Sequence, residues 1–467
     1  MIAHPWLSGA GASGATEPPE LQARGTHTRR VYAQMIVSGD GFNISRLAMG
    51  LIIHTADIHL DSPLAGLPEY EGAPHDAVRL ATRRALTNVV DLAIEKNADM
   101  VIIAGDLYDG EPRDQNTGLF LCAELTRLRR AGIEVVIAHG NHDAQSVITR
   151  RLPLPDGVRT MPTKKPGTEL FPALGIAVHG QGYPDREVLS DLSAAYPDPI
   201  DGLLNIGVLH TALSGRDGHA SYAPCSKGTL AARGYDYWAL GHVHTREVIG
   251  EDPWIVFPGC PQGRGLRECG SKGVMMIEID GDRVISVEAH PVDVVRWANV
   301  TVDVTGADDR DEALSGVRQA LTDVLPTADG RILACGVSIE GACDAHRSLG
   351  AYPARLTEEI RALALDVGAE EIWVASVQCA TRPGVVAGDL NSRRDPIARL
   401  LVDARAAAAD TEQLSERIPT IAEVAALMPA GTLGEGHLGP TDPQWVADRV
   451  AGAEPLLIGR LAGSETT

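Results

Sequence analysis

The chain has 467 residues, 44% of them hydrophobic and 22% charged, which is length for about three domains at ~150 residues each. It contains no run of roughly 18 apolar residues, which excludes a membrane-spanning helix, and its N-terminus lacks the basic-then-apolar order of a secretory signal. The net charge of −21 argues against a general basic surface for coating nucleic acid, while leaving room for an enzyme that holds DNA locally and brings its own metal cations. Seven cysteines, an odd number with no CxxC pair, fit neither a disulfide framework nor a thiolate zinc site, and they point to a reducing cytoplasm.

Residues 1–48 are rich in Gly, Ala, Ser and Thr without a sustained period. They read as a disordered leader or the product of an upstream start codon, with a regulatory arm as the alternative. From 51 to about 290 the pattern alternates strand and helix. Strands are expected at 51–54, 100–104, 134–138, 206–209, 237–240, 274–279 and 284–287, and helices at 76–96 and 115–130. Strand and helix joined by short connections predict an α/β layer fold. In such folds the loops leaving the carboxyl ends of the strands build the site. Residues 291–382 read as a smaller α+β unit, with strands at 300–304, 337–339 and 372–377 and helices at 311–324 and 353–365. A turn-rich polar linker is expected at 381–396, followed by helices at 397–408, 418–427 and 444–463.

Five short motifs follow the expected strands. They are Asp57-Ile58-His59, Gly105-Asp106-Leu107-Tyr108-Asp109, Gly140-Asn141-His142-Asp143, His210, and Gly241-His242-Val243-His244. Each is weak alone, but together they supply only metal-ligating and proton-transferring side chains, in order, at strand exits. In an extended segment residues i and i+2 point the same way, so Asp57 with His59, and His242 with His244, are expected to present paired ligands. Asp is a hard anionic ligand able to bridge two cations, imidazole suits borderline metals, and an Asn carbonyl adds an oxygen without charge. This mixed set favours Mn²⁺, Fe²⁺ or Zn²⁺ over Mg²⁺ or Ca²⁺. The glycines before Asp106, Asn141 and His242 are expected to let the backbone turn sharply. Two such metals about 3.5–4 Å apart clamp a phosphate and generate a hydroxide nucleophile.

The motif series resembles the calcineurin-like metallophosphoesterase superfamily over residues 50–290. The flanks His54-Thr55-Ala56-Asp57-Ile58-His59-Leu60-Asp61-Ser62-Pro63-Leu64 and Tyr235-Asp236-Tyr237-Trp238-Ala239-Leu240-Gly241-His242 resemble the SbcD-type DNA repair exonucleases, nearest the YhaO branch. Phe257-Pro258-Gly259, Gln262-Gly263-Arg264 and Glu268 fit that branch as well, with Gly265 a departure where a histidine is expected. The resemblance implies a β-sandwich flanked by helices at 49–290, a smaller α+β cap at 291–382, and a helical C-terminal segment at 383–467. It implies one metal on Asp57, His59, Asp106 and His244, a second on Asp106, Asn141, His210 and His242, and Asp106 as the bridge. His142 then stabilises the phosphorane and protonates the leaving oxygen, with Asp109 or Asp143 orienting it. His54 is read as a packing or outer residue, and Arg264 and Arg267 as candidate phosphate contacts.

The implied activity is metal-dependent exo- or endonucleolytic hydrolysis of DNA in repair, with Mn²⁺ as the leading cofactor. The implied partners are DNA, an SbcC-type coiled-coil ATPase and a second copy of the chain, with no membrane. The apolar spacing of Trp445, Val446, Val450, Ala453, Leu456, Leu457 and Leu461 suits a helix laid either on such a partner or on its own protein. A phosphodiesterase or phosphatase acting on a small phosphoester is the alternative, because fold and metal set do not fix the substrate. A scaffold without chemistry is disfavoured by the intact motifs.

Overall fold

The structure, a computed structural model, describes residues 49–62, 75–109, 115–145, 154–213 and 223–384. The expected leader at 1–48, most of the expected linker, and the helices expected at 397–408, 418–427 and 444–463 lie outside the described residues.

Up to residue 291 the strands are β1 (Gly50–Thr55), β2 (Met100–Ala104), β3 (Glu134–Ala138), β4 (Val158–Thr160), β5 (Gly167–Phe171), β6 (Ile176–Gly180), β7 (Leu204–His210), β8 (Tyr237–Gly241), β9 (Glu247–Glu251), β10 (Trp254–Phe257), β11 (Gly273–Asp280) and β12 (Arg283–Pro291). They form two six-stranded sheets, ordered β12-β11-β1-β2-β3-β4 and β5-β6-β7-β8-β10-β9. Within the first sheet β1, β2, β3 and β4 are parallel, and within the second β6, β7, β8 and β10 are parallel. The helices of this part are α1 (His75–Arg79), α2 (Ala81–Glu95), α3 (Gln115–Arg130) and α4 (Lys227–Ala231).

Parallel strands buried on both faces read as continuous apolar runs, and β2 (MVIIA) is buried at every residue. Strand alternation then splits the run between two cores. Ile53, Val101, Ile103, Val135 and Ile137 pack toward Leu86, Val89 and Val90 of α2 and Leu121, Leu125 and Leu128 of α3. Ile52, Ile102, Ala104 and Val136 pack instead against Ile206, Val208, Tyr237 and Ala239 of the second sheet. The far face of the second sheet is covered by Tyr183, Leu192 and Tyr196, which join Leu209, Trp238 and Phe257. The result is the expected mixed α/β sandwich, with two large sheets flanked by helices.

Three differences from the sequence reading have physical causes. The helix expected at 76–96 is broken at Leu80 (φ −98°, ψ 6°). Val78 before the break packs with Val295, Trp297, Ala334 and Trp373, whereas Leu86 and Val89 after it pack on the first sheet. One straight helix cannot serve both cores. β4, β5, β6, β9 and β10 were not expected: all are only three to five residues long, and β5, β6 and β9 also carry Gly, His or Glu where a periodic signal would need apolar residues.

The third difference is in the C-terminal sheet. Its strands β13 (Val295–Asp303), β14 (Ile332–Cys343) and β15 (Ile372–Pro383) are longer than expected, and β15 runs into the segment read as linker from 381. This parallel sheet, ordered β13-β14-β15, is crossed by α5 (Arg310–Val324), α6 (His346–Gly350) and α7 (Pro353–Gly368). Val317 and Leu321 of α5 and Leu356 and Ile360 of α7 cover one face with Val302, Val337 and Ile339.

At the junction with the first sheet, Asp293 is fully buried and accepts from Arg296 Nε and Nη2 at 3.1 Å each, with Arg331 Nε 3.0 Å away. Removing one partner strands a buried charge, which costs about 3–5 kcal/mol. Asp293→Ala is therefore expected to lower stability by about that amount in urea unfolding. An unchanged midpoint would contradict it.

Candidate dinuclear metal centre

The ten residues singled out by the motifs come together where the carboxyl ends of β1, β2, β3, β7 and β8 meet. The two sheets are tied there by buried hydrogen bonds. His210 Nδ1 donates to the Ala104 carbonyl (2.9 Å), and the His242 N–H reaches both Asp57 carboxylate oxygens (2.9 and 3.1 Å). His54, read as an outer residue, is buried with Nε2 donating to the Leu240 carbonyl (3.1 Å) and Nδ1 against the Tyr237 hydroxyl (3.0 Å). Burial lowers its pKa to about 3, consistent with a neutral ring that ties β1 to β8.

The paired donors do not arise from extended backbone as expected. Asp57, His59, Asp106 and His242 have φ of 52°, 46°, 53° and 98°, the left-handed region that non-glycine residues adopt only when the surroundings enforce it. Here the enforcement is a paired turn. Asp57, His59 and Leu60 N–H groups donate to the carbonyls of Gly105, Asp106 and Leu107 (3.0, 3.0 and 2.8 Å), so the loops after β1 and β2 hold each other.

The glycines also act differently from the expectation. Of the three, Gly105 takes a positive φ, while Gly140 and Gly241 are needed for close approach. A Cβ on Gly241 would lie 1.9 Å from the Ala104 carbonyl oxygen and 2.9 Å from His210 Nδ1. Gly241→Ala is therefore expected to lower the Tm, by an overpacking cost of about 1–3 kcal/mol or more. A wild-type Tm would contradict the packing described.

Among the described residues, four groups of donor atoms lie close enough to share an ion. Asp57, His59 and His244 form one and Asp106, His210 and His242 another; the remaining two, His59 with Asp109 and His142, and His244 with Cys260 and Glu268, adjoin the first. In the first, His59 Nε2 and His244 Nε2 face each other at 3.2 Å, with Asp57 Oδ1 3.9 Å from His244 Nε2. In the second, His210 Nε2 lies 3.0 Å from Asn141 Oδ1 and 3.3 Å from Asp106 Oδ2. The same Asp106 oxygen is 3.8 Å from His59 Nε2, so this carboxylate stands between the clusters, while its Oδ1 accepts the His142 N–H (3.0 Å).

Burial raises the Asp57 carboxyl against the pull of His244 and His210. Burial acts on Asp106 in the same sense, but His210 outweighs it and holds that carboxyl well below the usual range. His210, in turn, is raised to about 9 by Asp106 despite its burial. Two imidazole nitrogens aimed at one point, and an imidazole with two oxygens aimed at another, fit two divalent cations of the borderline class.

His142 belongs to neither of the first two groups but adjoins the first: its side chain is 33% exposed, its ring meets that of His59 edge-on (centroids 5.1 Å apart), and its Nδ1 lies 3.3 Å from Asp109 Oδ1. Asp109 also accepts from Ser62 Oγ (2.8 Å), lies 3.6 Å from Arg264 Nη1, and has His59 Nδ1 3.6 Å away. The His59 imidazole beside it, with Ser62 and Arg264, holds its carboxyl well below the usual range. Asp143, the other carboxylate expected to orient His142, is placed otherwise. It is buried and accepts from the N–H groups of Leu107 (2.9 Å), Tyr108 (3.2 Å) and Gly140 (2.9 Å), which clasps two ligand loops together. Burial and the nearby Asp106 raise its pKa to about 7.

Two further residues enter the site without having been assigned a role from sequence. Glu268 Oε1 is 2.6 Å from His244 Nδ1, and Ser62 holds Asp109. Both lie off the strand exits in turn-rich segments, so no spacing pointed to them.

Residues 50–246 match the family model for calcineurin-like phosphoesterases, and residues 297–382 match that for the middle domain of the metallophosphoesterase YhaO. Over 260 residues the chain is 34% identical to a Bacillus subtilis protein named uncharacterized metallophosphoesterase YhaO, a match covering 55% of this chain and 63% of that one. Over 296 residues it is 27% identical to the DNA double-strand break repair protein Mre11 of Methanopyrus kandleri, covering 57% of this chain and 62% of that one. The chain thus spans less than two thirds of the length of either relative. Among solved structures, a dimetal phosphatase from Danio rerio aligns with a TM-score of 0.34 at 12% identity, covering 52% of this chain and 96% of that one.

Proposed function

Because this chain carries a calcineurin-like metallophosphoesterase domain and, after it, a YhaO-type middle domain, we propose that it is a dinuclear, metal-dependent phosphodiesterase that cuts DNA in repair. The observation that carries the hydrolytic part is the pair of donor clusters sharing Asp106, with His142 set just beyond them. One ion would be held by Asp57, His59, Asp106 and His244, the other by Asp106, Asn141, His210 and His242. When bound, divalent ions supply positive charge against a phosphate and make water nucleophilic at neutral pH. Mn²⁺ is the proposed metal, from the donor types.

The remaining chemistry belongs to the chain's own groups. Asp109, kept ionised, faces His142 Nδ1 at 3.3 Å and would orient the ring so that Nε2 gives a proton to the departing oxygen. The half-exposed position of His142 lets that ring meet substrate while the buried clusters stay fixed. The left-handed turns and the Asp143 clasp hold the donors before substrate arrives, so little reorganisation accompanies the reaction.

DNA as substrate, and an SbcC-type ATPase as partner, are supported by the likeness to Mre11 and by the SbcD-type motif flanks. None of the seven cysteines is joined in a disulfide, which suits a reducing cytoplasm. Among the described residues no helix is long and apolar enough to cross a membrane. The net charge of −21 favours the second reading, a small phosphoester as substrate. The test is Mn²⁺-dependent degradation of linear duplex and single-stranded DNA alongside bis-p-nitrophenyl phosphate. DNA loss that requires Mn²⁺ supports the proposal. Turnover of the small ester with DNA untouched, even with the ATPase added, overturns its DNA half.

A further inference from the structure

We propose that Glu268 is a positioning residue for the ion at Asp57, His59 and His244, and that the C-terminal sheet sets its place through the loop 258–272; this rests on the two-ion reading above. A histidine binds an ion through one nitrogen, and the group on its other nitrogen fixes the ring's tautomer, orientation and basicity. For His244 that group is Glu268, whose Oε1 lies 2.6 Å from Nδ1, leaving Nε2 to face His59 and Asp57.

The Glu268 carboxylate is itself fixed. Its Oε2 accepts the Arg264 N–H at 2.7 Å, its Oε1 lies 3.6 Å from Arg264 Nη2, and its own N–H donates to the Gly265 carbonyl at 2.9 Å. Only 17% of its side chain is exposed. An exposed ion pair would be screened and mobile; this carboxylate is neither.

The loop is stitched to β13 and the residue before it by groups that are nearly inaccessible to solvent. Gln262, 1% exposed, accepts from the Val294 and Val295 N–H groups (2.9 and 3.2 Å) and donates to the Val295 carbonyl (2.7 Å). Trp297, 2% exposed, donates its indole N–H to the Gly263 carbonyl (2.8 Å), and its own carbonyl accepts from Gly270 (2.9 Å). Contacts therefore run without a gap from β13 through Gly263 and Arg264 to Glu268 and His244. The C-terminal sheet thus acts on one metal position, in addition to any contact it makes with substrate.

The experiment is calorimetric Mn²⁺ titration of the full chain as wild type, Glu268→Gln, Trp297→Phe and Asp106→Asn, with Mn²⁺ electron paramagnetic resonance and Tm on each. Glu268→Gln should keep one ion at wild-type affinity and bind the other on the order of 10- to 100-fold more weakly. Its resonance spectrum should show an isolated ion at metal levels where the wild type shows a coupled pair. Trp297→Phe keeps an aromatic side chain but loses the indole N–H and part of the buried ring system, and should weaken the same position by a smaller factor.

Two wild-type affinities in Glu268→Gln would overturn the proposal, as would equal weakening at both positions together with a lowered Tm. An effect in Glu268→Gln but none in Trp297→Phe would overturn the part assigned to the C-terminal sheet. If Asp106→Asn binds Mn²⁺ like the wild type, it is the two-ion reading that fails.

Discussion

Asp106→Asn is expected to lose Mn²⁺-dependent phosphodiester hydrolysis, by about a thousandfold or more, because several kcal/mol of charge stabilisation disappear at once. The side chain is buried, and one of its oxygens lies 3.3 Å from His210 Nε2 and 3.8 Å from His59 Nε2, so both clusters lose their shared anion. The other oxygen accepts the His142 N–H, which ties the loop after β3 to the loop after β2. An amide keeps the shape but not the charge. Initial rates on bis-p-nitrophenyl phosphate read the effect. Retention of a tenth or more of the wild-type rate would contradict a bridging role.

His142→Asn is expected to lower kcat on DNA by about 10²–10⁴-fold, the range for loss of a positioned proton donor, while leaving Mn²⁺ affinity near that of the wild type. The imidazole faces Asp109 and is not among the Asp57–His59–His244 or Asp106–His210–His242 donors, and the backbone N–H that donates to Asp106 survives the substitution. The leaving group gives a sharper test. A DNA alkoxide needs a proton as it departs, whereas p-nitrophenolate is stable without one, so the variant should lose far less activity on the nitrophenyl ester. Equal losses on both substrates would contradict proton donation by His142 and point instead to damage at the metal positions.

The parts of this structure that were legible from sequence share a physical cause. Strands β1, β2, β3, β7 and β8 are largely buried on both faces, so their composition is mostly apolar, and each ends where the apolar run meets a chemically distinctive motif. The α/β arrangement followed from that. The strands β4, β5, β6, β9 and β10 are too short, at three to five residues, to set a period; β9, for example, also carries Glu247 and Glu251 at its ends and Gly250 within, at the sheet edge. The break at Leu80 was hidden because apolar spacing continues through it, while the surfaces it serves belong to different cores.

At the site the donor types were readable but their backbone was not. Extended pairing of Asp57 with His59 was a sound inference from spacing, yet the turn they occupy is fixed by hydrogen bonds to Gly105 and Asp106, residues nearly fifty positions away. Asp109 and Asp143 were equivalent partners for His142 in the sequence. The fold separates them, giving Asp143 three backbone N–H groups and Asp109 the imidazole. Glu268 reaches His244 across a loop anchored to another sheet, which no local pattern encodes.

The measurement that bears most directly on the central claim is anomalous X-ray scattering from crystals of the full chain grown or soaked with Mn²⁺. The account predicts two peaks, one among Asp57, His59 and His244 and one among Asn141, His210 and His242, with the Asp106 carboxylate between them. A single peak with Asp106 turned away from it, or no density at these donors while Mn²⁺ supports turnover, would contradict a shared two-ion centre.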